Sequence, residues 1–374
     1  MMQYFKSVLL FSFIFMTISS SAQVLNQTKL FEWGELPAVP DDFGFAGAFG
    51  GVANGALIVA GGANFPDGGA PWTGSKKVWS DKIYVLDHPK GKWEIAGKLP
   101  EPLGYGISIT HGERLICIGG SNEVGHTAKV YAIADKNGQV NISQLADLPE
   151  TLANSSGALI GDIVYVAGGL KNADSQSTSN AFWSLDLADP NAKWQKLDTW
   201  PGTSRMLAVA GSSGNSFYLF SGTDLKLNAA GQAERVYLTD AYSYQPKAGW
   251  KKLKDLPKPV VAAAGPAYKS NTNKLLIFGG DDGKLAPKAA ELEGRHPGFS
   301  DEILSFDIAK NEWCIADTIL KNIKEDAVTN PNGSIWPAVT NTMVIWNGNL
   351  VFSMGEVRPA VRTPRVIIAR PIAH

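Results

Sequence analysis

Short apolar runs alternate with polar turns along most of the chain, and six of these runs end in versions of one phrase. Each phrase is an apolar run closed by one or two glycines; the phrases begin at residues 56, 115, 163, 217, 275 and 350 and read ALIVAGGAN, LICIGGSN, IVYVAGGL, FYLFSGTD, LLIFGGDD and LVFSMGEV. Runs rich in β-branched and aromatic residues and bounded by Gly, Asn and Asp are typical of strands. A phrase that recurs at intervals predicts a repeat architecture.

A variable loop and a second apolar run follow each phrase, and no segment keeps a helical period. In four units a Trp comes next, at Trp93, Trp194, Trp250 and Trp313. The residues after position 22 divide into six units of about 59 residues, close to the kelch period of about 50 with loops added. We therefore predict an all-β chain, a six-bladed kelch-type β-propeller built from four-stranded antiparallel blades.

The sixth unit lacks its Trp-containing strand at the C-terminal end. A segment of that type, KLFEWGELPAVP with Trp33, stands instead near the N-terminus. We predict that this N-terminal strand completes the C-terminal blade and closes the ring, which protects the last free edges. A β-sandwich is the alternative, but a sandwich does not repeat a Gly-Gly phrase six times.

The first 22 residues have the form of a secretory signal peptide, with an early Lys6, an apolar stretch and a run of small residues ending at Ala22. We predict export, with residues 23–374 forming a single propeller domain. The apolar stretch is short for a membrane span. A net charge of −1 disfavours a nucleic-acid surface or a polybasic membrane anchor.

The chain has two cysteines, Cys117 and Cys314, each inside an apolar run. They could pair in an oxidising compartment. Buried free thiols are the interpretation that we favour, because free Cys is among the most buried residue types.

Antiparallel pairing places two groups of loops on the same face: those after the Gly-Gly phrases and the links between blades. This face collects the candidate ligand-binding residues Asn64, Tyr105, Glu123, Arg205, Asp282 and the stretch from Glu356 to Arg362. The ligand of a propeller usually binds where such loops converge on the channel mouth. Each residue taken alone is more often a turn or solvated residue.

The sixth loop, SMGEVRPAVRTP, brings an acid and two arginines together: Glu356, Arg358 and Arg362. On spacing alone, a loop ion pair that contributes little stability is the commoner explanation. The chemical interpretation is that an arginine keeps the carboxylate ionised, ready to accept a proton, while the guanidinium grips a ligand carboxylate.

With these residues in view, the sequence resembles the secreted kelch propellers of the N-acetylneuraminate epimerase (sialic acid mutarotase) family. The segments that carry the resemblance are GFAGAFGGVANGALIVAGGANFP, GYGISI with LICIGG, and above all GEVRPAVRT, which matches a G-E-x-x-P-x-x-R-T element. The blade that carries this element comes last here, so the chain resembles a cyclically permuted branch of the family. A closed ring tolerates such permutation.

The resemblance implies an isomerase that interconverts the α and β anomers of N-acetylneuraminate, with Glu356 as proton acceptor and Arg362 as partner of the substrate carboxylate. It further implies that Arg205 contacts the substrate, that no metal or organic cofactor is needed and that the exported protein is periplasmic. Homodimerisation is left open.

Two other functions compete with the isomerase interpretation. A copper oxidase needs clustered His, Tyr and Cys, whereas the five histidines are scattered along the chain. A non-catalytic glycan-binding or protein-binding propeller is the serious alternative, because fold does not fix function.

Overall fold

The computed structural model describes residues 29–136 and 138–372, so the predicted signal peptide lies outside the described residues. Six four-stranded antiparallel sheets follow one another and form the predicted six-bladed propeller. From inner to outer strand the sheets are Phe49–Ala53, Ala56–Ala60, Lys82–Leu86 and Glu94–Lys98 in blade 1; Ile107–His111, Arg114–Ser121, His126–Lys136 and Gln139–Gln144 in blade 2; Ser156–Ile160, Ile163–Ala167, Phe182–Asp186 and Gln195–Lys196 in blade 3; Val209–Ser213, Ser216–Phe220, Ala241–Gln245 and Gly249–Lys252 in blade 4; Ala264–Lys269, Lys274–Phe278, Glu302–Asp307 and Glu312–Thr318 in blade 5; and Met343–Trp346, Asn349–Ser353, Val366–Pro371 and Phe31–Leu36 in blade 6.

Small hairpins and helical turns occupy the loops that follow the second strand of a blade or enter blade 6. The hairpins are Ala63–Asn64 with Val78–Trp79, Thr223–Leu227 with Ala233–Tyr237, and Glu356–Arg358 with Val361–Arg362. The helical turns are Pro71–Thr73, Ala286–Lys288, Ala289–Leu292, Glu293–Arg295 and Pro331–Gly333. Within the described part of the chain, no helix is long and apolar enough to cross a membrane.

The hydrophobic core lies between blades rather than inside them. One cluster joins Leu57 and Val59 of blade 1 to Val344 and Val351 of blade 6, and similar clusters fill the other blade boundaries. A single sheet has two apolar faces and can bury both only against its neighbours. The blades therefore depend on one another for their stability.

The repeated tryptophans stabilise the outer rim. Each indole N–H crosses to the neighbouring blade; Trp93, Trp194, Trp250 and Trp313 donate to the carbonyl oxygens of Pro37, Ala146, Asp198 and Lys254 at 2.7, 2.9, 2.7 and 2.9 Å, respectively. The polar atom of each ring is thus hydrogen-bonded while its apolar body packs.

The predicted closure of the ring is confirmed. Strand Phe31–Leu36 pairs antiparallel with Val366–Pro371, with Phe31 opposite Pro371 and Leu36 opposite Val366. This pairing gives blade 6 its fourth strand and covers the edge of Val366–Pro371 that would otherwise be unpaired.

A closed ring of six backbone hydrogen bonds surrounds the central axis. Each link into a blade contributes one residue, whose N–H donates to the carbonyl oxygen of the equivalent residue in the preceding blade over 2.7 to 2.9 Å. All six residues have φ between 52° and 67°; they are Gly47, Tyr105, Asn154, Leu207, Ala262 and Thr340. Five of them carry side chains and are strained by this left-handed conformation, so the fold must impose it.

The double glycines are structural, as their position in the repeat indicates. Gly61 has φ +65°, and a Cβ there would lie 2.1 Å from the carbonyl oxygen of Leu103. The N–H of the adjacent Gly62 donates to that same oxygen at 2.8 Å. Only glycine allows the link into the next blade to approach the second strand this closely.

The two cysteines are not bonded to each other. Cys117 is buried, as expected, and burial raises the pKa of its thiol. Cys314 is exposed on the outer strand of blade 5, so the expectation that both thiols are buried is wrong for Cys314. Its apolar run lies on an outer strand, where Ile315 is exposed as well.

We predict that Gly61→Ala destabilises the protein more than Gly55→Ala. Both glycines have positive φ, at +65° and +79°, but nothing lies within 4 Å of a Cβ at Gly55. Gly55→Ala should therefore cost only the left-handed strain of about 1–2 kcal/mol, whereas Gly61→Ala adds a clash with backbone. Midpoints of thermal unfolding measure the difference, and equal midpoints would contradict the close approach at Gly61.

Candidate active site

The loops predicted to share one face converge over the axis and enclose a cavity of about 1000 Å³, which we call the mouth cavity. Its floor includes the ring residues Tyr105, Asn154, Leu207, Ala262 and Thr340. Five blades supply its polar and aromatic walls: Lys77 and Trp79, then Glu123 and His126, then Glu234, Arg235 and Tyr237, then Asp281, His296 and Phe299, and finally Glu356 and Arg362. Below the ring the channel narrows to a volume of about 100 Å³. Within the channel lined by the described residues, a ligand of monosaccharide size therefore has room above the ring and not below it.

Glu356 and Arg362 face each other across the small hairpin in blade 6. Arg362 Nη2 lies 3.2 Å from Glu356 Oε2. Two backbone hydrogen bonds to Val339, at 2.8 and 2.9 Å, fix the main chain of Glu356. The Ala360 N–H in the turn donates to Oε1 at 3.3 Å. The carboxylate therefore has a defined position in the cavity wall.

Arg362 keeps unused hydrogen-bonding capacity. Its side chain is 4% exposed, and its Nε and Nη1 have no hydrogen-bond partner among the described residues. The guanidinium carbon lies 4.8 Å from the ring centroid of Phe65. A buried guanidinium with free N–H groups is suited to bind a ligand carboxylate, because the fork can donate two parallel hydrogen bonds.

Tyr105 and Lys77 lie beside this pair. Burial raises the pKa of Tyr105, although the charge of Arg362 acts against the shift, so the phenol stays protonated at neutral pH. Lys77 Nζ is 5.2 Å from the Tyr105 ring centroid. Partial burial and the charge of Arg362 lower the pKa of Lys77, with Glu356 opposing them. The lysine is therefore a stronger acid than it would be in water.

Blades 4 and 5 add polar residues that sequence reasoning missed. The Tyr237 hydroxyl donates to Asp281 Oδ2 at 3.0 Å. His296 is buried and accepts at Nδ1 from the Gly298 N–H at 3.2 Å. Burial lowers the pKa of His296, so its imidazole is neutral at pH 7. Tyr237 and His296 lie in insertions that have no counterpart in the repeat, so the comparison of repeats gave no signal for them, whereas Asp281 directly follows a Gly-Gly phrase.

Besides Glu356 and Arg362, two sequence-predicted residues line the cavity. They are Tyr105, in the floor, and the exposed Glu123. Two others do not line it. Asn64 is buried and its amide donates to Asp41 Oδ1 at 3.3 Å. Asp282 lies 2.9 Å from Lys284 Nζ, and its neighbour Asp281 faces the cavity instead.

Arg205 is also placed away from the cavity, which corrects the location expected from the sequence. Its side chain is 0% exposed and lies 2.8 Å from Asp240 Oδ2. It donates to the carbonyl oxygens of Thr203 and Ser221 and stacks with Tyr242 at 5.4 Å. With its donors used inside the fold, Arg205 joins strands of blade 4 rather than binding a ligand.

No three His, Cys, Asp or Glu side chains of residues 29–136 and 138–372 come together as metal ligands. The side chains around the Glu356–Arg362 pair offer a carboxylate, a guanidinium, an ammonium and a phenol. Together they can bind a carboxylate and move protons at an adjacent oxygen.

The fold and the site define a kelch-type propeller that presents a carboxylate–guanidinium pair to a ligand at its central mouth. Comparison with known proteins gives the family. The model of the N-acetylneuraminate epimerase family matches residues 17–142 and 145–370, and the chain belongs to that family. The permuted blade order stays a prediction.

Two curated relatives named N-acetylneuraminate epimerase illustrate the similarity. The Haemophilus influenzae (strain 86-028NP) protein is 30% identical over 243 residues, which cover 60% of this chain and 58% of the relative. The Salmonella arizonae protein is 38% identical over 120 residues, which cover 29% of this chain and 31% of the relative. The aligned segments thus span less than two thirds of these relatives.

The solved structure of YjhT has the same fold. It superposes with a TM-score of 0.62 over 89% of this chain and 96% of its own, at 16% sequence identity. At that identity, the similarity supports the arrangement of the blades and carries no argument about residues in the site.

We predict that Arg205→Met destabilises the protein by about 3 kcal/mol, because it leaves the half-buried Asp240 carboxylate without its partner. The matched control is Arg235→Met, which removes an exposed arginine from the cavity wall and should change stability by less than about 0.5 kcal/mol. Denaturant unfolding measures both. Wild-type stability in Arg205→Met would contradict the structural role.

Proposed function

We propose that the protein interconverts the α and β anomers of N-acetylneuraminate by opening and reclosing the sugar ring. The observation that carries the proposal is the Glu356–Arg362 pair, 3.2 Å apart, in the wall of a cavity of about 1000 Å³. Family membership supports the substrate class.

Arg362 supplies the binding contact in this scheme. N-acetylneuraminate carries a carboxylate on its anomeric carbon, and the free Nε and Nη1 of Arg362 can donate to it. A bidentate contact fixes the anomeric carbon and its two oxygens with respect to the guanidinium. Because Glu356 lies against the same guanidinium, the anomeric hydroxyl is placed beside the carboxylate.

Glu356 then acts as the general base. It accepts the proton of the anomeric hydroxyl, and the bond between the anomeric carbon and the ring oxygen breaks. The electron pair of that bond goes to the ring oxygen, which takes a proton, leaving an open-chain ketone. Rotation about the adjacent carbon–carbon bond presents the opposite face, and the same proton transfers in reverse close the ring as the other anomer.

Lys77 is the donor that we assign to the ring oxygen. It lines the same cavity and its charge interacts with both Glu356 and Arg362. An ammonium whose pKa is lowered gives up its proton more readily and regains it when the hydroxyl adds back to the ketone. Tyr105 beneath it is held protonated and can donate a hydrogen bond to the sugar.

Two further expectations from the sequence accompany this proposal. Export to the periplasm rests on residues 1–22, outside the described residues, and homodimerisation also stays a prediction. Neither affects the chemistry assigned to Glu356, Arg362 and Lys77.

We predict that Glu356→Gln lowers the protein-dependent anomerisation rate by about 10²-fold or more, because the amide cannot accept the proton. Proton NMR of freshly dissolved α-N-acetylneuraminate measures the exchange with and without protein. The control Asp282→Asn removes a loop carboxyl outside the cavity and should retain the wild-type rate. If wild type does not accelerate the exchange, the protein is a binding propeller; full activity in Glu356→Gln would reject only the assigned base.

We predict that Lys77→Met lowers the rate by about 10²-fold at neutral pH and removes the alkaline limb of the pH profile. In wild type, activity that requires the ammonium is present at low pH and is lost as pH rises through the pKa of Lys77, which lies below the ordinary lysine value. Lys76→Met, at an exposed neighbouring position, should behave as wild type. An unchanged alkaline limb in Lys77→Met would contradict the assignment.

A further inference from the structure

A second cavity, which we call the side pocket, lies on the opposite side of the Glu356–Arg362 hairpin from the mouth. It has a volume of about 410 Å³, within the range of small-molecule sites. Loops of blades 1, 5 and 6 line it, and none of the roles assigned above uses it. Arg362 lines both cavities and so forms part of the wall between them.

The side pocket is positively charged. Its lining includes Arg358 and Arg362 and no Asp or Glu. The mouth cavity differs, because its cations Lys77, Arg235 and Arg362 share the wall with four acidic residues. A buried cation without a facing anion is electrostatically unfavourable, so a pocket of this kind attracts anions.

Arg358 carries the argument. The residue is only 2% exposed. Its Nη1 donates to the Gly294 carbonyl at 2.6 Å and its guanidinium stacks on Trp336 at 5.0 Å. Its Nε has no hydrogen-bond partner, and no carboxylate of the described residues lies within ion-pair distance. Arginine nevertheless stays protonated in proteins, so a full charge is left without an anion.

The rest of the lining fits a sugar. Phe43, Phe65 and Trp72 offer aromatic surfaces, and Trp72 is 40% exposed. Asn332 Oδ1 is a buried acceptor with no partner among the described residues, so it can accept a hydrogen bond from a sugar hydroxyl. Aromatic faces, a free acceptor and paired guanidinium groups together complement a carboxylate-bearing sugar.

We propose that the side pocket is a second binding site for an acidic sugar, which binds through its carboxylate to Arg358 and through its hydroxyls to Asn332. The choice of an acidic sugar rests on the proposed function, whereas the requirement for an anion rests on Arg358, since Arg362 already has Glu356 as its partner. Because Arg362 is shared, a ligand in the side pocket acts on the guanidinium that also holds Glu356.

Isothermal titration of the purified protein with N-acetylneuraminate tests the proposal, with its methyl ester as the probe that lacks the carboxylate. Val328 lines the pocket and is 56% exposed, so it can be changed without disturbing the core. Val328→Glu places a negative charge against the ligand carboxylate, while the matched control Val328→Lys keeps the pocket positive. Arg358→Met removes the cation itself.

We expect two bound sugars per wild-type chain and none of the methyl ester in the side pocket. Val328→Glu should weaken one site by about tenfold or more, Val328→Lys should keep both, and Arg358→Met should leave one. The proposal is overturned if Val328→Glu weakens none of the sites found in wild type, and this result stands even if Arg358→Met does not fold. Anomer exchange is measured separately. Two binding sites without acceleration of anomer exchange would contradict the proposed enzyme function but support the side pocket as a binding site.

Discussion

The ring of six backbone hydrogen bonds around the axis is the constraint on which the site depends. Each blade supplies one left-handed residue, and the five that carry side chains hold that conformation against its intrinsic cost. The hydrogen bonds compensate part of this cost. Each bond joins two neighbouring blades, so the complete ring of six forms only when all six blades are in place. Fixed in this way, the links form a rigid floor for the cavity, and Tyr105 is part of that floor.

Above the floor, the polar side chains of the cavity wall come from loops that differ from blade to blade. In blades 1 and 5, side chains after the Gly-Gly phrase bind residues of the fold, as Asn64 binds Asp41 and Asp282 binds Lys284. Blade 6 follows it with a hairpin that places a carboxylate and a guanidinium in register. The site that we propose for binding and proton transfer thus lies where one blade departs from the repeat.

The repeat made the fold predictable. One short apolar run could be a strand or a buried helix segment, but six copies of the same phrase indicate one repeated strand unit. The seam between Phe31–Leu36 and Val366–Pro371 was predictable for the same reason, since one unit lacked its Trp strand. Glu356 and Arg362 could be paired because they lie in one loop. Arg205 could not be placed, since its partner Asp240 and its stacking partner Tyr242 lie in a distant part of the sequence. Lys77 and His296 lie in insertions, where no second copy allows comparison.

The seam also bears on how the chain folds. Glu35 and Arg365, 330 positions apart in the chain, form an ion pair across it. Contacts of such long range require nearly the whole polypeptide before they can form, so they are slow and come late. During synthesis, strand Phe31–Leu36 must remain unpaired until the last blade emerges. An exposed strand edge is prone to aggregate, so the same strand that closes the finished ring is exposed to aggregation beforehand.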